Sequence, residues 1–440
     1  MNQVSRKSLQ PGAPGPGAGL PGDADPPLRR AQRAGSFGVL DIGSTKITCL
    51  IGRCEADGSL RVLGSGWQRS RGVRAGGIVD LEEAERAIRA AVGQAEEMAD
   101  TRLRAVVVNL SCGAPESRLF NVVWPVGGRV VADSDVRRVV AESRARAQVE
   151  GREIIHAMPV AFSVDDVSGV ADPRGHHCDQ LSARLHVIDA AATSLRNLAA
   201  AMARCDLDIA ELVSAPFAAG LSCLVADERE LGATVIDMGG GVTAMAVFAE
   251  GQLLHTAQLP VGGLHVSRDL AGVLSTPLAS AERLKCMYGN AEPSPDDERE
   301  MLTVPQIGED DHHFARVPRA MVVGIIKPRL EETFELVRDR LEAAGLGRAA
   351  GSRVVLTGGA SQMVGAREMA HRILGRQVRL GRPGPLRGLP DAASGPGFAT
   401  AAGLLAWASG SGRPLGDLDL DAERPAGLMR RIVNFLREKV

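Results

Sequence analysis

At 440 residues the chain is long enough to hold two or more domains with sizeable cores. Lys and Arg number 51 against 53 Asp and Glu, and aromatics make up 3%, so neither a basic balance nor stacking platforms argue for a nucleic-acid partner. The seven cysteines form no C-x-x-C pair and their number is odd, which fits reduced thiols in a cytosol, while no apolar run reaches the ~18 residues that span a bilayer and no apolar segment near the start reads as a secretory signal.

Residues 1–35 contain PGAPGPGAGLPGDADPP, too poor in apolar side chains to offset the entropy of ordering, and are expected to be disordered. FGVLDIGSTKITCLIGR, from Phe37, reads as strand, tight turn, strand. Residues 80–100 predict a helix, because Leu81, Ala84, Ala87, Ile88, Ala91, Val92 and Ala95 share one face. AVVVNL (105–110) is a short buried strand, 133–148 a second helix capped by Asp133 or Ser134, and 153–166 strand again. Residues 193–225 read helix, strand, helix, with Thr193 as the first cap. VIDMGGGVTAMAVF (235–248) is a hairpin, and SAERLKCMYG a helix stopped by Gly289. Residues 291–318 are polar and read as an irregular excursion; 325–345 is a long amphipathic helix entered through Pro328; 353–374 is strand, glycine turn, helix. Strands and helices alternate throughout, which places the chain in the α/β class.

VLDIGSTKITCLIG, from Val39, and VIDMGGGVTAMAVF, from Val235, share one pattern: apolar, apolar, Asp, apolar, Gly, small residues, then an apolar strand. Two copies about half a chain apart suggest two lobes of similar build, each presenting a hairpin. A dinucleotide fold needs G-x-G-x-x-G opening a helix, and strand-like sequence follows here instead. A Walker A motif is absent. A glycine-rich tip turns successive backbone N–H groups inward as an anion nest. Two tips facing across a cleft would grip a polyphosphate, and the aspartates before them, Asp41 and Asp237, would hold Mg²⁺ through its waters. One such hairpin alone is explained as well by a plain turn whose glycines permit positive φ. The second copy and a third turn, LTGGASQMVG (356–365), where glycines let a flat ring approach the backbone, favour the nucleotide reading.

These three stretches resemble the phosphate-1, phosphate-2 and adenosine motifs of the actin/Hsp70/sugar-kinase ATPase superfamily. Within it the chain is similar to the FtsA family of bacterial cell-division proteins over about 36–407 and 427–440. The resemblance implies an actin-like fold of two lobes around a nucleotide cleft, with an inserted FtsA-type subdomain. It divides the chain into a first lobe at 36–103 and 185–212, the insert at 104–184, and a second lobe at 213–408 that returns to the first near its end. It carries ATP and Mg²⁺ onto Asp41, Gly43, Ser44, Thr45 and Lys46 in the first loop and Asp237, Gly239, Gly240, Gly241 and Thr243 in the second. Gly262 and Gly263 match a further pair near the phosphates; Glu282 and Lys285 match adenosine contacts; Gly358, Gly359 and Met363 match the adenosine motif. A solvated Lys46 and an exposed Glu282–Lys285 pair are the plainer readings of those residues. Where hydrolytic relatives carry a residue that orients the attacking water, this chain has Ala215, and a second such position is Ala244. Alanine cannot position water, so ATP binding with slow or absent hydrolysis is expected.

The last stretch, GLMRRIVNFLREKV (427–440), reads as an amphipathic helix. Leu428, Ile432 and Leu436 recur every four residues, Met429 and Phe435 widen the face, and Arg430, Arg431 and Arg437 suit an anionic membrane surface. The acidic Gly/Pro-rich stretch 409–426 reads as a flexible tether. A helix docked on the body is the alternative. HHCD (176–179) and DDHH (310–313) offer no complete metal-ligand set. The family implies head-to-tail filaments, an FtsZ partner bound through its C-terminal peptide, later divisome proteins, and a peripheral place on the cytoplasmic face of the inner membrane at the septum. Arg319 lies in the region that faces FtsZ in the family. The rivals are a sugar or acetate kinase, which needs a catalytic carboxylate by the cleft, a pilus-assembly adaptor, and a chaperone-type ATPase, for whose peptide-binding domain no room follows 408.

Overall fold

The computed structural model describes residues 35–308, 314–346 and 351–410. The expected disordered extension, the DDHH run, the tether from 411 and the amphipathic tail all lie outside the described residues.

Strands β1 (Ser36–Ile42), β2 (Lys46–Cys54) and β3 (Leu60–Arg69) form an antiparallel meander, followed by the short ribbon β4 (Val73–Arg74) and β5 (Gly77–Ile78). Helix α1 (Leu81–Ala99) starts at Asp80, whose carboxylate accepts from the amides of Glu82 and Glu83, each at 3.0 Å. Its expected apolar face is buried, Leu81 only partly. Small residues there meet Gly64 and Gly66 of β3, where a Cβ at Gly66 would overlap the Ala91 carbonyl oxygen, so helix and sheet backbones approach closely. β6 (Ala105–Leu110) runs parallel to β1, inside the same sheet. The boundary expected at 104 therefore shifts: this buried apolar strand belongs inside the first sheet and is not the start of the insert.

The insert consists of β7 (Glu116–Pro125), α2 (Asp133–Ala147), β8 (Arg152–Val164), β9 (Val167–Val170) and β10 (Gln180–Ala191). Its antiparallel sheet runs β7-β10-β8-β9 and has a core of its own beneath α2. The cap of α2 is Ala132, one residue before the expected Asp133. Asp135 accepts from the Ala132 amide at 3.0 Å and is held by Arg129, so the bond comes from inside the first turn. The chain returns through α3 (Ala192–Arg204), β11 (Asp208–Ser214) and α4 (Ala215–Cys223). Thr193 sits within α3, which begins one residue before it without a side-chain cap, because β10 leads directly into the helix. β11 pairs parallel with β6 and completes the order β11-β6-β1-β2-β3.

The second lobe opens with α5 (Ala226–Leu231), β12 (Ala233–Met238), β13 (Thr243–Ala249) and β14 (Gln252–Leu259), then α6 (Gly263–Val273) and α7 (Leu278–Tyr288). Residues 291–318, expected to be irregular, hold a hairpin of β15 (Met301–Pro305) and β16 (Phe314–Pro318); Leu302 and Val304 are its inward residues, a period of two hidden among polar neighbours. Helix α8 (Arg319–Ala343) starts earlier than expected and runs through Pro328. Buried Val322, Val323 and Ile326 hold the turns before the proline, so packing overrides the local break. β17 (Arg353–Thr357), α9 (Ala366–Leu374) and β18 (Gln377–Leu380) follow, and α10 (Ala399–Ala408) returns to pack on α4 and β1.

The second sheet runs β14-β13-β12-β17-β18. Reading the first as β3-β2-β1-β6-β11 gives the same plan: an antiparallel meander, then two parallel crossovers. The hairpin echo seen in the sequence is thus one corner of a repeated five-stranded sheet.

Candidate functional site

The two hairpin tips close in the same way. The Gly43 amide donates to the Lys46 carbonyl at 3.1 Å, and the Gly239 amide to the Val242 carbonyl at 2.9 Å. They meet: a Cβ at Gly240 would overlap the Thr45 side chain, and one at Gly241 the Ser44 hydroxyl, so only glycine allows this approach. The first turn of α6 covers the second tip, with the amides of Gly263 and Leu264 donating to the Gly239 and Gly240 carbonyls at 2.9 and 2.8 Å. Gly358, at φ +84°, lies where a side chain would strike the Asp237 carboxylate.

Two adjoining chambers open between the lobes, of about 330 and 420 Å³, sharing Thr45, Gly240, Gly359 and Gln362. Asp41, Gly43, Ser44, Lys46, Asp237, Gly239, Gly241 and Gly358 line the first. Thr243, Gly262, Gly263, Glu282, Lys285 and Met363 line the second. The structure therefore brings together every residue picked from the three glycine motifs and their flanks.

The first chamber is acidic at its floor. Burial, and then the nearby Asp237 charge, push the Asp41 carboxyl up to about 7 against the pull of Lys46. Burial also raises Asp237, opposed by a 3.0 Å hydrogen bond from the Thr400 hydroxyl and by Lys46. Burial lowers Lys46 to about 8, opposed by the two aspartates, and its amine stands 3.0 Å from the centre of the Phe398 ring. Lys46 is therefore no solvated strand end. Two half-buried carboxylates beside one amine make a hard oxygen set, a donor set that suits a hydrated Mg²⁺.

In the second chamber Lys285 is buried, and its amine donates to Glu282 at 2.7 Å, Ser267 Oγ at 2.9 Å and the Gly263 carbonyl at 3.0 Å. Ser267 donates in turn to Glu282. The plain exposed pair is overturned: α7 lays both charges against the N-terminus of α6. Thr243 Oγ1 is buried beside this chamber without a partner among the described residues.

Several lining residues carried no motif. Asn109, at the end of β6, accepts the Ile42 amide at 2.7 Å and steadies the first tip. Phe398 and Thr400 arrive with α10; their signal was the turn GPGF (395–398), a glycine–proline run directly before a helix. Ala215 opens α4 on the chamber wall, whereas Ala244 is buried in β13 and does not line either chamber. Of the two alanines, Ala215 alone borders the cleft and bears on the placement of an attacking water. Arg319 opens α8 with its guanidinium engaged within the lobe, donating to the Tyr288 carbonyl at 3.1 Å and Glu300 at 3.0 Å and facing Asp297 at 3.5 Å. In HHCD the His176 ring contacts the Pro173 carbonyl at 3.1 Å, and among the described residues no cluster of His, Cys, Asp or Glu has the make-up of a metal site. No described helix is long and apolar enough to cross a membrane.

Residues 234–403 match the family model described as cell division protein FtsA, and residues 113–189 match that of the SHS2 domain inserted in FtsA. The chain is 44% identical over 386 residues to the cell division protein FtsA of Rhizobium meliloti (strain 1021), covering 85% of this chain and 87% of that one. It is 33% identical over 377 residues to the cell division protein FtsA of Escherichia coli (strain K12), covering 83% and 88%. Among solved structures it resembles a PilM-PilN type IV pilus biogenesis complex with a TM-score of 0.61, covering 85% of this chain and 98% of that one; at 17% identity this is a likeness of fold.

Proposed function

The chain belongs to the FtsA family of cell-division proteins and carries its actin-like fold, and on that premise we propose that it binds Mg²⁺·ATP between its lobes and tethers FtsZ filaments to the cytoplasmic face of the inner membrane at the septum. The observation that carries the nucleotide reading is the pair of opposed glycine tips, each led by a half-buried aspartate that lines the cleft. The amides of the tip residues between Gly43 and Lys46 and between Gly239 and Val242 would bind phosphate oxygens. Asp41 and Asp237 would hold the ion, and Lys46 would neutralise phosphate charge. Glu282, Lys285 and the Gly358–Met363 turn would orient the nucleoside. Bound there, the metal nucleotide supplies charge neutralisation and a bridge between the lobes. Ala215 leaves the attacking water unplaced, so the nucleotide acts as a conformational ligand, hydrolysed slowly or not at all.

Residues 427–440 would anchor the protein reversibly, and 409–426 would tether that helix to the body. Self-association into filaments, recruitment of later divisome proteins and capture of the FtsZ C-terminal peptide near Arg319 complete the reading. The engagement of Arg319 within its own lobe makes it a scaffold for that surface as much as a contact. Neither a sugar or acetate kinase nor a pilus adaptor is favoured by the family membership. Titration of a fluorescent ATP analogue with and without Mg²⁺ tests the cleft; imaging of the tagged protein in dividing cells, with and without residues 427–440, tests the tether. Absence of nucleotide binding, or septal localisation untouched by the truncation, would overturn the respective half.

A further inference from the structure

The insert is continuous with the first lobe, yet its sheet also meets the second. β7, β8 and β10 lie against β14, the edge strand of the second sheet. On the inward face of the insert Ser117, Ile188 and His156 form one cross-strand row, with His186 two residues before Ile188. Ser117 Oγ lies 2.6 Å from His186 Nε2 and 3.4 Å from His255 Nδ1, and it accepts the Thr256 amide at 3.1 Å. His255 and Thr256 belong to β14, so a single hydroxyl joins two strands of different bodies. On the other side His156 Nε2 accepts the Ser214 amide at 3.1 Å and its ring stands edge-on to Phe217 and Trp407.

We propose that Ser117, His186 and His255 form a latch that holds the insert to the second lobe in one lobe arrangement and releases it in another. Counting hydrogens fixes its chemistry. A serine hydroxyl has one donor and two acceptor positions. The Thr256 amide occupies one acceptor, leaving one donor and one acceptor for two imidazole nitrogens. One facing nitrogen must be bare and the other must carry hydrogen, so both rings cannot be charged at once. His186 is fully buried, and its Nδ1 has no partner among the described residues, so its ring is held neutral. The groups facing these rings are His156 and His255 towards His186, and Arg340 of α8 towards His255; each added positive charge disfavours protonation further.

The latch has little reserve. At 3.4 Å the His255 contact is at the limit of a hydrogen bond, and a displacement of about 1 Å ends it. Because the insert is carried by the first lobe, any rotation between lobes shears β7 and β10 against β14. A neighbouring bond, from the Gln258 side chain to the Ser111 carbonyl at 2.9 Å, crosses the same boundary. The latch itself stands on this geometry; its coupling to the cleft rests on the proposed nucleotide role. The insert's freedom to meet other proteins would then follow the state of the cleft.

The test is residue-resolved amide exchange on the full chain, nucleotide-free and with Mg²⁺·ATP, for the native protein and Ser117→Ala. The Thr256 amide should exchange about tenfold faster or more in the variant. The native protein should show a difference between the two states across β7 and β10, and the variant should lose it while binding the fluorescent nucleotide within about twofold of the native protein. Should Ser117→Ala fail to fold, His255→Gln, at a partly exposed position, reads the same couplings. Unchanged Thr256 exchange overturns the latch, as does identical exchange of β7 and β10 in both states when nucleotide is measurably bound. If no nucleotide binds, the reading of the cleft fails, and the Thr256 comparison still decides the latch.

Discussion

The Thr400 hydroxyl, in the first turn of α10, donates to a carboxylate oxygen of Asp237 at 3.0 Å, so the helix that returns to the first lobe holds the leading aspartate of the second. Thr400→Val removes that donor and keeps the shape. Mg²⁺-dependent affinity for a fluorescent ATP analogue should fall about tenfold, in line with a hydrogen bond to a charged acceptor, and Thr400→Ser should restore it. Asp237→Asn should lose more. Equal affinities in all three variants would refute the proposed metal site.

Ala215 lines the cleft, and it is the position proposed to leave an attacking water without an orienting side chain. Phosphate release by the native protein should stay well below one turnover per second. Ala215→Gln should raise it by about tenfold or more if positioning is the missing part. Fast release by the native protein would sink the idea that nucleotide serves only as a conformational ligand.

Helices α4 and α10 cross through Ala218 and Gly403, where an added Cβ would overlap the Ala218 carbonyl oxygen. Gly403→Ala should destabilise by about 1–3 kcal/mol through forced separation of the helices. Gly272, in α6, has nothing within 4 Å of its notional Cβ, and Gly272→Ala should be neutral or stabilising by up to about 1 kcal/mol through helix propensity. Thermal melts of the two variants should shift in opposite directions or differ clearly in size.

Burial, with the facing histidines 255 and 156, pushes His186 from 6.5 down to about 3. In the unfolded chain the ring takes up a proton as pH falls through 6.5, while the folded ring does not. The unfolded state then binds more protons, so the stability owed to this neutral ring is complete above that pH and is lost as pH falls towards the folded value, by up to about 1.4 kcal/mol per pH unit. Melts between about pH 7.5 and 5 should show this loss, and His186→Gln should remove that part of the slope. Parallel profiles for the two proteins would exclude the buried neutral ring.

Residues 427–440 should carry membrane binding. Co-sedimentation with vesicles rich in anionic lipid should be lost on their removal and should weaken with salt, because cations next to an apolar face contribute through a screened potential. Equal sedimentation of both forms would reject the anchor.

Much of this was legible in the sequence because it was local. The Asp-x-Gly turns, the seven-residue apolar face of α1 and the Gly-Gly turn after β17 are decided by neighbours a few residues apart. The misread boundaries were cases where distant packing overrode that code. Pro328 sits inside α8 because the turns before it are pinned by Val322, Val323 and Ile326, and the strand at 105–110 joined the first sheet because β1 and β11 flank it. Thr193 and Asp133 carry the right side chains for caps but fall one residue or more inside their helices.

The sequence by itself determined the α/β class, the doubled hairpin, the glycine-motif residues of the cleft and the family to which they point, since each is encoded by short-range pattern and by the conformational freedom of glycine. Only the tertiary structure decided that the two tips face each other closely enough to exclude a methyl group, that Lys46 is half-buried over Phe398 and Lys285 buried and engaged, that Ala215 and not Ala244 borders the cleft, and that Ser117 meets His255 across the lobes. Those facts join residues far apart in the chain, and the contacts that hold them form only when both sheets, the insert and α10 are packed in place.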